Sequence, residues 1–111
     1  MKIAFDFDGT ITAYPQAFEA LVPILKKGGA ELVILTACAG EFPEHLRQTE
    51  AERRLASFGF EDIPVVWCHT AKKPAWCRKH NVDILVDDVP FHDAETFLQL
   101  VPNNRTNVKL P

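Results

Sequence analysis

The sequence has little that would tie it to a membrane, a disulfide framework or a nucleic-acid coat. No apolar run reaches about 18 residues, so no membrane-spanning helix is expected. Cysteine is scarce. Cys38, Cys68 and Cys77 are odd in number and lack the spacing of a small disulfide scaffold, so reduced thiols in a cytoplasmic protein are expected. Cys68, His69, Cys77 and His80 do not reproduce the close Cys–Cys spacing of common zinc sites. Positive charge is not in excess. A net charge of −3 argues against a surface that coats nucleic acid, though it leaves room for a local basic site. Repeats, low-complexity tracts and interdomain linkers are missing. The chain opens on strand-like residues with Lys2, Asp6 and Asp8 close behind, so no signal peptide is expected.

What is present fits one packed domain over residues 1–111. Hydrophobic residues make up 47%, with eight Phe, enough for a single core, and the 24% of charged residues is ordinary. Short apolar runs alternate with helical segments. Strands are expected at Ile3 to Phe7, Leu32 to Leu35, Ile63 to Trp67 and Asp83 to Val86. Helices are expected from Pro15, with Phe18, Leu21, Val22 and Leu25 on one face, from about Pro43 to Phe58, near Pro74, and from Pro90 to Val101. Pro23 could kink the first of these. Val108 to Leu110 could add a fifth strand. This alternation predicts an α/β fold, a three-layer α/β/α sandwich with a parallel, Rossmann-like sheet.

Such sheets bind ligands beyond the carboxyl ends of their strands. Polar groups gather there in the sequence pattern. Asp6 ends the first strand and Thr36 the second. Lys72 and Lys73 follow the third. Asp87 and Asp88 end the fourth. Asp6 and Asp8 sit at period two, and Gly9 lets the backbone turn sharply after them. Carboxylates that close repel one another, which suits a cation between them. A carboxylate can also attack phosphorus and carry a covalent phosphoryl group. A cation is unfavourable at a helix start, so Lys72 and Lys73 before Pro74 suit a bound anion.

The run Asp6-Phe7-Asp8-Gly9-Thr10-Ile11-Thr12 resembles motif I of the haloacid dehalogenase (HAD) superfamily in its phosphatase form. Thr36 resembles motif II, Lys73-Pro74 motif III, and Asp87-Asp88 motif IV. Lys72 and Lys79 remain alternatives for the lysine. The resemblance implies a nucleophilic Asp6, a general acid/base Asp8, and phosphate contacts from Gly9, Thr36, Lys72 and Lys73. It implies Mg²⁺ held by Asp6, Asp8 through its backbone carbonyl, and Asp87 or Asp88. The short spans between motifs leave no room for a cap domain, so a capless, open-sited HAD-like member is implied.

On this resemblance the expected function is a Mg²⁺-dependent phosphohydrolase, an enzyme acting on phosphomonoesters through an aspartyl-phosphate. An open site suits a large substrate, a nucleotide or a polynucleotide end. The basic stretch Lys72, Lys73, Arg78, Lys79 agrees with that, with Trp76 as a stacking surface or a core residue and Trp67 as core. A HAD-like phosphate- and metal-binding module without turnover, or a phosphotransferase, is the alternative. A homo-oligomer could supply the missing cover.

Overall fold

The computed structural model describes residues 1–37, 53, 56, 59, 60, 62–91 and 97–102. Among these lie five strands: β1 (Lys2–Phe5), β2 (Glu31–Thr36), β3 (Val65–Trp67), β4 (Ile84–Val86) and β5 (Leu98–Leu100). They form one sheet in the order β3-β2-β1-β4-β5, and every pairing is parallel. Helix α1 spans Pro15–Lys27 and α2 spans Lys73–Lys79.

The period of two along the strands sorts the core onto two faces. Ile3, Phe5, Ile34 and Val86 pack with Phe18 and Val22 of α1. Ala4, Val33, Leu35 and Leu85 pack with Cys77 of α2. Neighbours in sequence thus serve opposite faces, and the central strands are apolar without interruption because both faces are covered. The result is the α/β sandwich with a Rossmann-like parallel sheet that the alternation predicted.

Local signals explain where the elements stop. Pro15 takes the first turn of α1, where its missing N–H costs nothing. Pro23 lies inside α1, which runs on through it. At the far end Gly29 adopts φ +87°, and the Ala30 amide donates to the Leu25 carbonyl at 3.0 Å, closing the helix as a left-handed cap. The first strand ends at Phe5, two residues before the expected limit.

The expected helix from Pro90 to Val101 is corrected at its C-terminal end, where Leu98–Leu100 form a strand. Leu98 pairs with Ile84 and Leu100 with Val86. The open edge of β4 offers backbone partners that a helix would have left unused, and this tertiary pairing outweighs the local helical period. Gln99 adds to it: its side chain accepts from the Phe91 amide at 2.9 Å and donates to the Val89 carbonyl at 2.7 Å. Residues 92–96, most of the expected helix from Pro43 to Phe58, Cys38 and the expected strand at Val108 to Leu110 lie outside the described residues. The spans that bear on a cap domain fall partly in the same segment.

Candidate functional site

The strand order creates one crevice by topology. The connection after β1 places β2 on one side of it. The chain later crosses back to place β4 on the other. The reversal lies between β1 and β4, the position where open parallel sheets hold ligands. Asp6 follows β1 and Asp87 follows β4, so both emerge at this point.

A tight turn shapes the β1 side. Asp8 is extended (φ −72°, ψ 127°) and Gly9 is left-handed (φ 81°, ψ −8°), which are the two central positions of a type II turn. That geometry needs Gly at the second position. Gly9 also makes room: a Cβ there would lie 2.5 Å from Asp88 Oδ2. The absent side chain is therefore what lets Asp88 close against the β1 turn.

Lys73, the first residue of α2, reaches between the two strand ends. Its Nζ donates to Asp6 Oδ1 at 2.8 Å and to Asp87 Oδ2 at 2.7 Å. Lys73 is 2% exposed, Asp6 6% and Asp87 0%. Thr10 ties the remaining atoms together. Its hydroxyl donates to Asp6 Oδ2 at 3.3 Å and accepts from the Asp88 amide at 3.2 Å. Asp87 Oδ1 accepts from the Val89 amide at 2.9 Å.

Three carboxylates, those of Asp6, Asp87 and Asp88, offer oxygens within 4.8 Å of one another. One ammonium cannot balance three carboxylates, so the buried cluster keeps an excess of negative charge. Desolvation pushes Asp6 up to about 7; Lys73 opposes the shift, while Asp87 adds to it. Burial raises Asp87 as well, again against Lys73. For Lys73, burial works against the charge, but Asp6 and Asp87 outweigh it and raise its proton affinity. The lysine is thus held as an ammonium.

A cavity of about 280 Å³ opens over this cluster. Asp6, Asp8, Asp87, Asp88 and Lys73 line it, joined by Ala37, Thr70 and Val89. The structure thus brings five of the sequence-predicted residues together. Thr36 is buried at the end of β2 and does not line the cavity. Gly9 stands behind Asp88 and not on the wall. Lys72 and Lys79 are exposed and face a second pocket. Sequence reasoning missed Thr10 as the link between Asp6 and Asp88, though its place four residues after Asp6 and beyond the glycine was the available signal. It also missed Ala37 and Thr70, which carry no chemical signature.

The second pocket, about 650 Å³, lies beside the first, across the turn Thr70–Lys72. Trp67, Cys68, Trp76 and Ala75 form its largely apolar lining, and His69, Lys72 and Lys79 complete it. Trp67 Nε1 is buried with no hydrogen-bond partner among the described residues, a deficit of about 1–3 kcal/mol for such a group. Burial raises the Cys68 thiol, against the pull of Lys73 and Lys72, so it stays protonated and is a poor nucleophile.

No protein-family model matches the chain, and no curated protein matches its sequence. Among solved structures, the fold is similar to that of a universal stress protein crystallised in complex with cAMP. The TM-score is 0.54 at 19% sequence identity, over 95% of this chain and 98% of that one. The likeness shows the fold: a Rossmann-like parallel sheet of the kind that protein has.

This finding corrects the family expectation. The structural likeness leads to a universal stress protein and not to the HAD superfamily. The expected Mg²⁺-dependent phosphohydrolase, its aspartyl-phosphate and its status as a HAD-type phosphatase enzyme are withdrawn with it. So are the HAD-like module and the phosphotransferase. The physical reason lies in how local the motifs are. Asp-x-Asp-Gly-Thr specifies a strand end, a type II turn and a hydroxyl link. Asp87-Asp88 specifies another strand end. These features build a charged crevice without by themselves fixing what happens in it.

Proposed function

We propose that the chain is a nucleotide-binding domain that holds the phosphates of its ligand at the β1/β4 crevice through a divalent cation. The observation that carries this reading is the cluster of buried Asp6 and Asp87, bridged by Lys73, with half-buried Asp88 beside them at the topological switch point. A phosphate alone would meet an excess of negative charge there. A divalent cation reverses that sign and presents open coordination positions to phosphate oxygens. The donors are all oxygen, which suits Mg²⁺, Mn²⁺ or Ca²⁺ over zinc. Each carboxylate oxygen that accepts from Lys73 or Thr10 keeps a second lone pair for the ion.

In this reading Asp6, Asp87 and Asp88 are the cation ligands, with Asp8 at the rim. Lys73 keeps the two strand ends together and lowers the charge a phosphate meets. The fold agrees with a nucleotide ligand, since a protein of similar fold was crystallised with cAMP. A cytoplasmic setting belongs to the same reading, supported by the free thiols of Cys68 and Cys77. Among the described residues no helix is long and apolar enough to cross a membrane.

Calorimetric titration tests the reading. Adenosine nucleotides should bind wild type in Mg²⁺ and lose most of their affinity in a chelator. Asp87→Asn should weaken binding in a way that added Mg²⁺ partly restores. Equal affinity with and without the cation would overturn it.

A further inference from the structure

We propose that the Trp67/Trp76 pocket is the base subsite of the same nucleotide, separated from the phosphate site only by the turn Thr70–Lys72. The inference rests on the nucleotide reading and adds where the base goes.

Three observations meet here. First, the two cavities are lined by alternate residues of one short segment. Thr70 and Lys73 line the phosphate side, and His69 and Lys72 line the other. Between them runs one short 3₁₀ turn, Thr70–Lys72, whose first residue lines one cavity and whose last lines the other. Second, the pocket of about 650 Å³ falls within the range of about 300–1,000 Å³ usual for small-molecule sites, and its chemistry fits a base. Ala75, Trp76 and Lys79 recur at helical spacing, so α2 turns one face of small, aromatic and cationic groups to it, and Lys72 joins them from the turn just before. The Trp76 ring stacks on His80, with centroids 4.2 Å apart, and Lys2 Nζ lies over the ring 5.5 Å from its centroid, so this wall already takes an aromatic and a cationic partner. Third, Trp67 carries a buried indole N–H with no partner among the described residues, so the pocket's lining holds an unused donor.

The charges agree with the geometry. Lys72 and Lys79 are exposed cations on the rim, placed for a polyanionic ligand and not for a neutral apolar one. The Cys68 thiol stays protonated, so it offers contact without covalent chemistry.

The chain has two tryptophans, and both line this pocket, so intrinsic fluorescence reports it directly. Wild type in Mg²⁺ would be titrated with ATP and, separately, with inorganic tripolyphosphate, which has no base. ATP should change tryptophan emission and bind about tenfold or more tighter than tripolyphosphate, the scale of one base–aromatic contact. Trp76 packs against the core, so its loss could disturb folding. Ala75→Gln is therefore the primary variant: Ala75 is an exposed helical position, and the longer side chain fills the pocket. It should remove the tenfold preference for ATP and leave tripolyphosphate binding unchanged. Equal binding of both ligands with unchanged emission, or an Ala75→Gln variant that still prefers ATP, overturns the base subsite and leaves the phosphate site standing. If neither ligand binds, both readings fall.

Discussion

Replacing Lys73 by Met is the perturbation whose size follows most directly from the structure. Met keeps most of the apolar stem of the side chain and removes the ammonium with its two hydrogen bonds. Its ammonium, 2% exposed, sits 2.8 Å from Asp6 and 2.7 Å from Asp87, which are themselves almost fully buried. Removing one partner of a buried ion pair costs roughly 3–5 kcal/mol, because the partner charge is left uncompensated. Here two carboxylates lose their partner at once. They can relieve the loss only by taking up protons or a cation. The cost should therefore be largest above about pH 7, where Asp6 would otherwise ionise, and should shrink toward about pH 5. Mg²⁺ should restore part of it at high pH. Urea unfolding of wild type and Lys73→Met at both pH values, with chelator and with Mg²⁺, measures all of this. A loss below about 1 kcal/mol at high pH without a cation, the scale of an exposed pair, would refute a charge-bridging role for Lys73.

Three further outcomes are expected. The carboxyl of Asp6 is raised from 3.8 to about 7, so between these values the folded protein holds a proton that the unfolded chain has released. Its contribution to stability is thus present below about pH 4 and lost as pH rises to about 7, roughly 4 kcal/mol in all, and Asp6→Asn should flatten a urea-derived stability profile across that window. Thr10→Val removes the hydroxyl that joins Asp6 Oδ2 to the Asp88 amide, and should cost about 1–3 kcal/mol in the same unfolding assay and weaken cation binding. Gly9→Ala places a Cβ in a left-handed turn and 2.5 Å from Asp88 Oδ2. It should cost about 1–2 kcal/mol in unfolding and displace Asp88 from the cluster, read as a lower affinity for Mn²⁺.

Much of the fold was legible because its signals are local. Uninterrupted apolar runs such as Val33-Ile34-Leu35 mark strands covered on both faces, and Pro15 with Gly28-Gly29 brackets α1. The crevice was legible for the same reason: Asp6, Lys73, Asp87 and Asp88 each follow an element that ends at one edge of the sheet. Leu98–Leu100 was not legible, because its helical spacing with Phe91 and Phe97 is intrinsic to the sequence while the free edge of β4 is a property of the assembled sheet. Thr36 ends its strand as expected yet does not line the cavity, since strand position alone does not fix which way a terminal side chain opens. The adjacent lysines show the limit most clearly. Lys72 and Lys73 are chemically identical, but one is exposed beside a tryptophan pocket and the other is buried between two carboxylates. The turn that parts them leaves no mark in composition. Family membership was the least secure inference, because each of its four motifs describes one strand end or helix start and its immediate neighbours, and those local features do not fix a family.

The central claim is that a divalent cation sits at the β1/β4 crevice and recruits a nucleotide there. Mn²⁺ shares the preference for oxygen donors and broadens nearby amide resonances, so a ¹H–¹⁵N titration locates it. Substoichiometric Mn²⁺ should broaden the amides of Asp6 to Thr10 and of Asp87 to Val89 first, and adding ATP should deepen that broadening and extend it to Thr70 and Lys72. Broadening that begins instead at exposed acids such as Glu31 or Asp62, or that ATP does not change, would contradict it.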